Sequence, residues 1–253
     1  MVFFYSLLAL ASISAISNAY SIPSSSNWPR EEKATLPLNK IANDGEKPIP
    51  TPTGSPKYIL LGLGYQNYTC DSSKTWVQTT PSAGAVADLY DITHTQTDDS
   101  FSSSSSSSIK SFERCCLEFT RCAAHQISAQ AGHHFFDQVN ATQTPNFDVT
   151  KFGDFLSGKK IASADAPEDA YRGSNGLGAV DWLYVVDNGS GRTHGVKAVY
   201  RVQTAAGVAP EICDEEGFQL HVPYAAEYWF YESTQESVAI YLVAAIFMPI
   251  TTD

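Results

Sequence analysis

Residues 224–231 constrain the fold of this chain more than any other segment. They read Tyr-Ala-Ala-Glu-Tyr-Trp-Phe-Tyr, with aromatic side chains at both odd and even positions. Because successive residues of a strand point to opposite faces, this strand is apolar on both faces and carries one charge, Glu227. A strand with one face in water would alternate apolar with polar residues. The segment therefore predicts a central strand covered on both sides. A buried Glu227 then needs a partner, with Arg201 the first choice and His221 the second.

Other segments have strand patterns too. Residues 181–187 form an apolar run that ends in the turn sequence Asn-Gly-Ser-Gly, and residues 196–204 then alternate. In this alternation Tyr200 lies on an apolar face and Arg201 on a polar face, so the two segments predict a hairpin. Further strands are expected over residues 57–64 and 83–91. The predicted fold class is all-β, a β-sandwich or a flattened barrel.

One segment, residues 109–129, has a helical pattern instead. Its apolar residues recur at intervals of three or four from Ile109 to Ile127, with charged residues at other positions. Seven consecutive serines precede it at 102–108, a composition typical of a solvated linker. We expect one inserted helix near residues 109–129, within a Ser-rich insertion that spans 102–129.

The first nineteen residues have the pattern of an export signal. They carry no charge, contain an apolar stretch over residues 2–16, and end on Ser-Asn-Ala. Cleavage is expected after Ala19. Three sequons for N-glycosylation follow, at Asn67, Asn140 and Asn188. These features predict a secreted, extracellular glycoprotein.

The rest of the chain divides into two parts. Residues 20–56 are rich in Ser, Pro, Asn and Lys and show no sustained periodicity, which predicts a flexible leader. Residues 57–253 are then expected to form a single β domain.

The chain has five cysteines, an odd number for a secreted protein. Cys70 and Cys213 flank the β region and are the expected disulfide. Cys115, Cys116 and Cys122 lie on the predicted helix, where the geometry does not favour a bridge between them. At least one thiol stays free or pairs between chains, and the sequence leaves open which one.

A series of sequence blocks points to a known family. The blocks are residues 62–70, 84–91, 132–136, 145–147, 180–183, 199–204, 210–213 and 224–231. In order and spacing they resemble the fungal secreted proteins classed as domain of unknown function 3455. The resemblance implies an all-β secreted domain without established chemistry. Members are often labelled malate dehydrogenase by automated transfer. The serine run with its helix and the tail after Tyr231 depart from the family pattern.

The dehydrogenase label is not supported by the residues. A dinucleotide site needs a glycine-rich turn between a strand and a helix. Gly62-Leu63-Gly64 lacks the third glycine, and the residues that follow are a poor helix start. We therefore disfavour nicotinamide chemistry and expect no cofactor.

Charge and motif patterns narrow the partners. The net charge of −11 repels phosphate backbones, so nucleic acid is not an expected partner. No apolar stretch after the signal reaches the ~20 residues needed to span a bilayer. His133 and His134 are neighbours that would point to opposite faces of a strand, so no metal site is expected.

Two functional hypotheses remain. The leading one is an extracellular or cell-wall-associated domain that binds a carbohydrate, a small molecule or a protein, since Tyr and Trp offer flat surfaces for stacking. The alternative is a secreted hydrolase or lyase that uses Glu227, Asp181 and His133 in one cleft. Paired acids must lie about 5 to 9.5 Å apart for glycoside chemistry, so geometry separates the two hypotheses.

Overall fold

The computed structural model describes residues 34–78, 84–93, 130–139 and 142–232. Within these residues the chain forms nine strands and one short 3-10 helix, Leu38–Lys40. The strands are β1 (Tyr58–Cys70), β2 (Trp76–Val77), β3 (Gly84–Asp91), β4 (Gln130–Val139), β5 (Thr142–Val149), β6 (Asp154–Ala164), β7 (Trp182–Asp187), β8 (Ala198–Ala206) and β9 (Gln219–Tyr231).

The strands close into an antiparallel barrel. From β3 to β9 each strand pairs with the next, and β1 pairs with both β3 and β9, which closes a ring of eight strands. The short β2 pairs with the end of β1, where Cys70 lies opposite Trp76. The predicted all-β class and flattened barrel are confirmed. The predicted helix at 109–129 lies outside the described residues.

One end of the barrel is filled by its own core. Leu60, Leu156 and Phe230 are buried there among the inward-pointing side chains. Tyr58 donates a hydrogen bond to Asp154 at 2.9 Å, and Phe152 stacks on the Tyr58 ring with 4.3 Å between centroids. This aromatic plug closes one end, so any open space must lie toward the other.

The outward side of β9 is covered as well. Trp229 is 3% exposed and belongs to a second buried cluster that includes Leu36 and Ile49. Asn43 braces this covering segment by exchanging two hydrogen bonds of 2.8 Å with the Ile49 backbone. Tyr228, on the opposite face, is 1% exposed, so the prediction of a strand covered on both sides is confirmed.

The covering segment belongs to the leader that was expected to be flexible. Residues 34–49 pack against outward aromatic side chains, and the buried Leu36 and Ile49 contribute apolar contacts. The composition of this segment is polar, but a few well-placed apolar residues are enough to hold it on the barrel. Residues 20–33 of the expected leader lie outside the described residues.

The polar residues of β8 suggested that the face carrying Arg201 lies on the solvent side, and this expectation is wrong. The face points into the barrel, where Val199 is fully buried and Arg201 is partly buried. Tyr200 and Val202, on the other face, join the outer cluster. A barrel with an internal cavity accepts a polar side chain on its inner face, so alternation alone did not reveal which face was which.

Two sequence motifs have structural roles in β1. Gly62 and Gly64 lie in the middle of this strand and not at a strand-to-helix turn. A Cβ on Gly62 would lie 2.4 Å from the Tyr228 ring, so this glycine makes room for the ring. At the end of β1, Cys70 forms the predicted disulfide with Cys213, their Cα atoms 5.8 Å apart. Among the described residues, no helix is long and apolar enough to cross a membrane.

Candidate functional site

The barrel contains a cavity of about 880 Å³. It occupies the end away from the Tyr58 plug, where β1 contributes Gln66 and Tyr68 to the wall. Its apolar walls are formed by Ala85, Phe136, Pro145, Phe147, Val180, Leu183, Val185, Val199 and Val208. Its polar lining includes Gln66, Tyr68, His134, Lys159, Lys160, Asp181, Arg201 and Tyr228. This mixture suits a ligand with an apolar body and a few polar groups.

Arg201 brings a positive charge into the barrel. Its Nε and Nη2 atoms donate hydrogen bonds to the backbone oxygen of Asp181 at 3.1 and 2.8 Å. Among the described residues no carboxylate lies within ion-pair distance of the guanidinium. The backbone contact fixes the orientation of the guanidinium without neutralising its charge.

His134 forms part of the cavity wall beside Phe147. It is buried, its ring stacks on Phe147 at 4.2 Å, and its Nδ1 lies 2.8 Å from the backbone oxygen of Asn146. Because only a carbonyl faces Nδ1, that nitrogen carries the proton and Nε2 is left as an acceptor. Burial lowers the pKa of His134 to about 3, and the nearby Arg201 charge acts in the same direction. The imidazole is therefore neutral at physiological pH.

Gln66 contributes a buried amide to the cavity lining. It is 2% exposed, and its Oε1 accepts a hydrogen bond from Gln78 Nε2 at 2.7 Å. Its own Nε2 is buried and has no hydrogen-bond partner among the described residues. A buried polar group without a partner costs about 1–3 kcal/mol, so a ligand that supplied an acceptor would recover part of this cost.

Two buried tyrosines, Tyr224 and Tyr228, form a hydrogen-bonded pair, and Tyr228 is part of the cavity lining. The hydroxyls of Tyr224 and Tyr228 lie 2.9 Å apart, and both residues are buried. Burial raises the pKa of each phenol, while the Arg201 charge acts against this rise. Both phenols therefore stay protonated at neutral pH, and Tyr228 lines the cavity as a neutral hydrogen-bonding group.

Glu227 does not belong to this cavity. It lies on the outward face of β9, 5% exposed, and its Oε2 accepts a hydrogen bond from Trp229 Nε1 at 2.8 Å. The expected pairing with Arg201 is wrong, because Arg201 lies opposite Tyr228 and faces inward. The second choice is also wrong, since the His221 ring contacts Asn67 Oδ1 at 2.6 Å.

The other two candidate catalytic residues lie apart from Glu227 and from each other. Asp181 is exposed at the mouth of the cavity. The surrounding wall limits its solvation and raises its pKa, although Arg201 opposes the shift. His133 lies on the outer surface of β4, where it pairs with Asp88 at 3.0 Å. The three side chains therefore do not share a cleft.

His133 and His134 point to opposite faces of their strand, as the strand pattern predicts. His133 is exposed and His134 is buried, on opposite faces of β4. Within the described part of the chain, no group of three or more His, Cys, Asp or Glu side chains is arranged to hold a metal ion.

The sequons occupy different environments. Asn67 is 9% exposed and bonded to His221, so a glycan there would have to leave a buried position. Asn188 lies at the cavity mouth, where its Nδ2 donates to Ser157 Oγ at 3.1 Å. Asn140 lies outside the described residues. Glycosylation at all three positions stays a prediction.

Sequence reasoning singled out Asp181 and Asn188 among the residues that line the cavity but missed most of the others. Gln66, His134 and Tyr228 sit within the recognised blocks but carried no catalytic motif. Arg201 shares a strand face with Val199, a pairing of cation and branched apolar residue that is unusual for a solvent face. That combination was the one available signal of an inward-facing charge.

These features define a closed antiparallel β-barrel with a ligand-sized cavity at one end. The family model described as "Protein of unknown function (DUF3455)" matches residues 50–232, which include every strand of the barrel. The chain belongs to this family. No curated protein and no solved structure matches it.

Proposed function

We propose that this chain is a secreted binding protein that holds a small molecule inside its barrel. The observation that carries the proposal is the cavity of about 880 Å³ lined by both apolar and buried polar side chains. Its volume lies within the ~300–1,000 Å³ typical of small-molecule sites. A protein interior is normally packed without such space, so an open cavity of this size is a feature that folding alone does not require.

The composition of the wall favours a small molecule over the other two ligand classes. Phe136, Phe147 and Leu183 offer apolar contact inside the barrel, where a protein partner would not reach. Tyr228 and Trp229 are buried in the two cores, so their rings are not available to stack on a sugar at the surface. A ligand enclosed by the barrel therefore fits better than a polysaccharide on the surface.

Export of the protein is supported by separate features. The apolar, uncharged segment at residues 1–19 has the pattern of a signal peptide, and the Cys70–Cys213 disulfide suits an oxidising compartment. N-terminal sequencing of exported material should begin at Tyr20. A chain that leaves the cell with Met1 intact would contradict this part of the proposal.

The binding proposal can be tested by filling the cavity. Leu183 lines the wall and is partly buried, so Leu183→Trp places a large ring in the open space. Leu177 is 38% exposed and does not line the cavity, so Leu177→Trp is the matched control. The neutral dye N-phenyl-1-naphthylamine serves as the probe, and its fluorescence reports entry into an apolar site.

The wild-type protein and the Leu177→Trp control should bind the dye saturably, with one site per chain. Leu183→Trp should weaken this binding by about tenfold or more, equivalent to about 1.4 kcal/mol. Equal binding of the dye by both tryptophan variants would overturn the proposal.

A further inference from the structure

The charges around the cavity differ from those of the whole chain. The chain carries a net charge of −11, yet the residues around the cavity include the partly buried Arg201 and two exposed lysines, Lys159 and Lys160, against the single carboxylate of Asp181. His134 adds no charge because its pKa is about 3. A locally positive site attracts negatively charged groups even when the protein as a whole is acidic.

Arg201 is partly buried, whereas Lys159 and Lys160 are exposed. It lies opposite Tyr228 on β9 and Leu183 on β7, both of which line the cavity wall. The guanidinium donates two hydrogen bonds to Asp181 O through Nε and Nη2, and Tyr228 on the cavity wall is a further hydrogen-bond partner of the side chain. Within the described residues the guanidinium has no carboxylate partner, and a charge in an apolar environment is costly without one.

A second unsatisfied donor lines the same cavity. The Nε2 atom of Gln66 is buried and has no acceptor within the described part of the chain, while Gln78 holds the amide through its oxygen. Carboxylates and sulfonates accept hydrogen bonds from both guanidinium and amide donors. The remaining wall, including Phe136, Phe147 and Val185, offers only apolar contact.

From this arrangement we infer that the cavity binds an organic anion with an apolar body, whose acidic group pairs with Arg201. The inference rests on the proposed binding function and names the ligand class for that same site. The acidic group lies toward Arg201, and the apolar body lies against Phe136 and Phe147. A neutral molecule of the same shape fits the walls but leaves the Arg201 charge without a counter-ion.

The test compares two dyes that share an aromatic body. 1-Anilinonaphthalene-8-sulfonate carries a sulfonate, and N-phenyl-1-naphthylamine is its neutral counterpart. The wild-type protein should bind the sulfonate more tightly by about tenfold or more. Arg201→Gln should remove this preference. It should weaken binding of the sulfonate dye by about tenfold and binding of the neutral dye by less than about threefold. Arg201→Lys keeps the charge and should retain most of the preference.

Arg192→Gln is the matched control, because Arg192 pairs with Asp137 at 2.9 Å, stacks over Phe155 and does not line the cavity. It should leave both affinities unchanged. If Arg201→Gln does not fold, the salt dependence of dye binding to the wild-type protein tests the anion inference. Added NaCl should weaken binding of the sulfonate dye and leave binding of the neutral dye unchanged, because screening acts only on the charged ligand.

The outcomes separate the two proposals. If neither dye binds the wild type, the binding function itself fails. If both dyes bind with equal affinity and equal salt dependence, the binding function stands and the anion inference is overturned. A sulfonate preference that Arg201→Gln leaves intact also overturns the inference.

Discussion

Trp229 donates its indole N–H to Glu227 Oε2 at 2.8 Å, two residues earlier on the same strand. Both side chains are buried on the outward face of β9, under the segment formed by residues 34–49. The contact shows how the strand accommodates its one charged residue. It also separates Glu227 from the cavity, since the inner face of β9 carries Tyr224, Tyr228 and Phe230 instead.

Loss of this carboxylate should affect stability but not ligand binding. Glu227→Ala leaves the buried indole N–H of Trp229 without this acceptor, which should lower the free energy of unfolding by about 1–3 kcal/mol. Glu227→Gln keeps an acceptor oxygen and should cost less. Urea unfolding measures both variants. Dye affinity should stay within about twofold of wild type in each, and a large loss of dye binding in Glu227→Gln would place this residue in the site after all.

His134 should make the fold sensitive to acid. Its folded pKa of about 3 lies below the 6.5 of an unperturbed histidine, because burial disfavours the charged ring. Between about pH 3 and pH 6.5, His134 is therefore protonated in the unfolded chain and neutral in the folded chain. This group's stabilising contribution is complete above pH ~6.5 and is lost as the pH falls toward ~3, by up to about 1.4 kcal/mol per pH unit.

The variant His134→Asn tests this directly. Asn can keep a donor toward the Asn146 carbonyl but does not titrate, so its stability should fall less between about pH 7 and about pH 5 than that of the wild type. Urea unfolding at the two pH values gives the comparison. Its absolute stability should be lower at neutral pH, because the stacking on Phe147 is lost. Identical slopes for the two proteins would contradict the assignment.

Asp181 should tune the affinity for anions. Limited solvation raises its pKa, while Arg201 and Lys160 lower it and Asp165 raises it. As the pH falls its carboxyl protonates and the mouth loses a negative charge, so wild-type affinity for the sulfonate dye should rise. Asp181→Asn should bind the dye more tightly at neutral pH and show a weaker pH dependence. Affinity that falls on acidification in both proteins would contradict this role.

Gly62 should be intolerant of even a methyl group. A Cβ there would lie 2.4 Å from the Tyr228 ring, whereas a Cβ on Gly45 would meet nothing within 4 Å. Gly62→Ala should destabilise the protein by about 1–3 kcal/mol through overpacking, and Gly45→Ala by less than about 0.5 kcal/mol. Thermal or urea unfolding of the pair provides the test. Equal stabilities would mean that the ring moves aside freely.

The sequence predicted the strands well because their signals are local. Aromatic residues on both faces of residues 224–231 correctly indicated a strand covered twice, and Cys70 and Cys213 were correctly paired. Closure of the barrel depends on pairing between β1 and β9, which are separated by most of the chain. Periodicity carries no information about such a contact.

The same limit explains why most of the cavity lining was missed. Arg201 alternates with apolar neighbours as a solvent-facing residue would, and apart from Val199 on the same face no sequence feature indicated that this face points inward. The unpaired amide nitrogen of Gln66 is a property of the folded interior and leaves no pattern in the sequence. The packing of Leu36 and Ile49 on the outer face was hidden by the polar composition around them.

The most direct test of the account is a crystal structure of the protein with bound 1-anilinonaphthalene-8-sulfonate. We predict the dye within the barrel, with its sulfonate in hydrogen-bond contact with the Arg201 guanidinium and its rings against Phe136 and Phe147. A dye bound only on the outer surface, with the cavity of about 880 Å³ closed by rearranged side chains, would contradict the account.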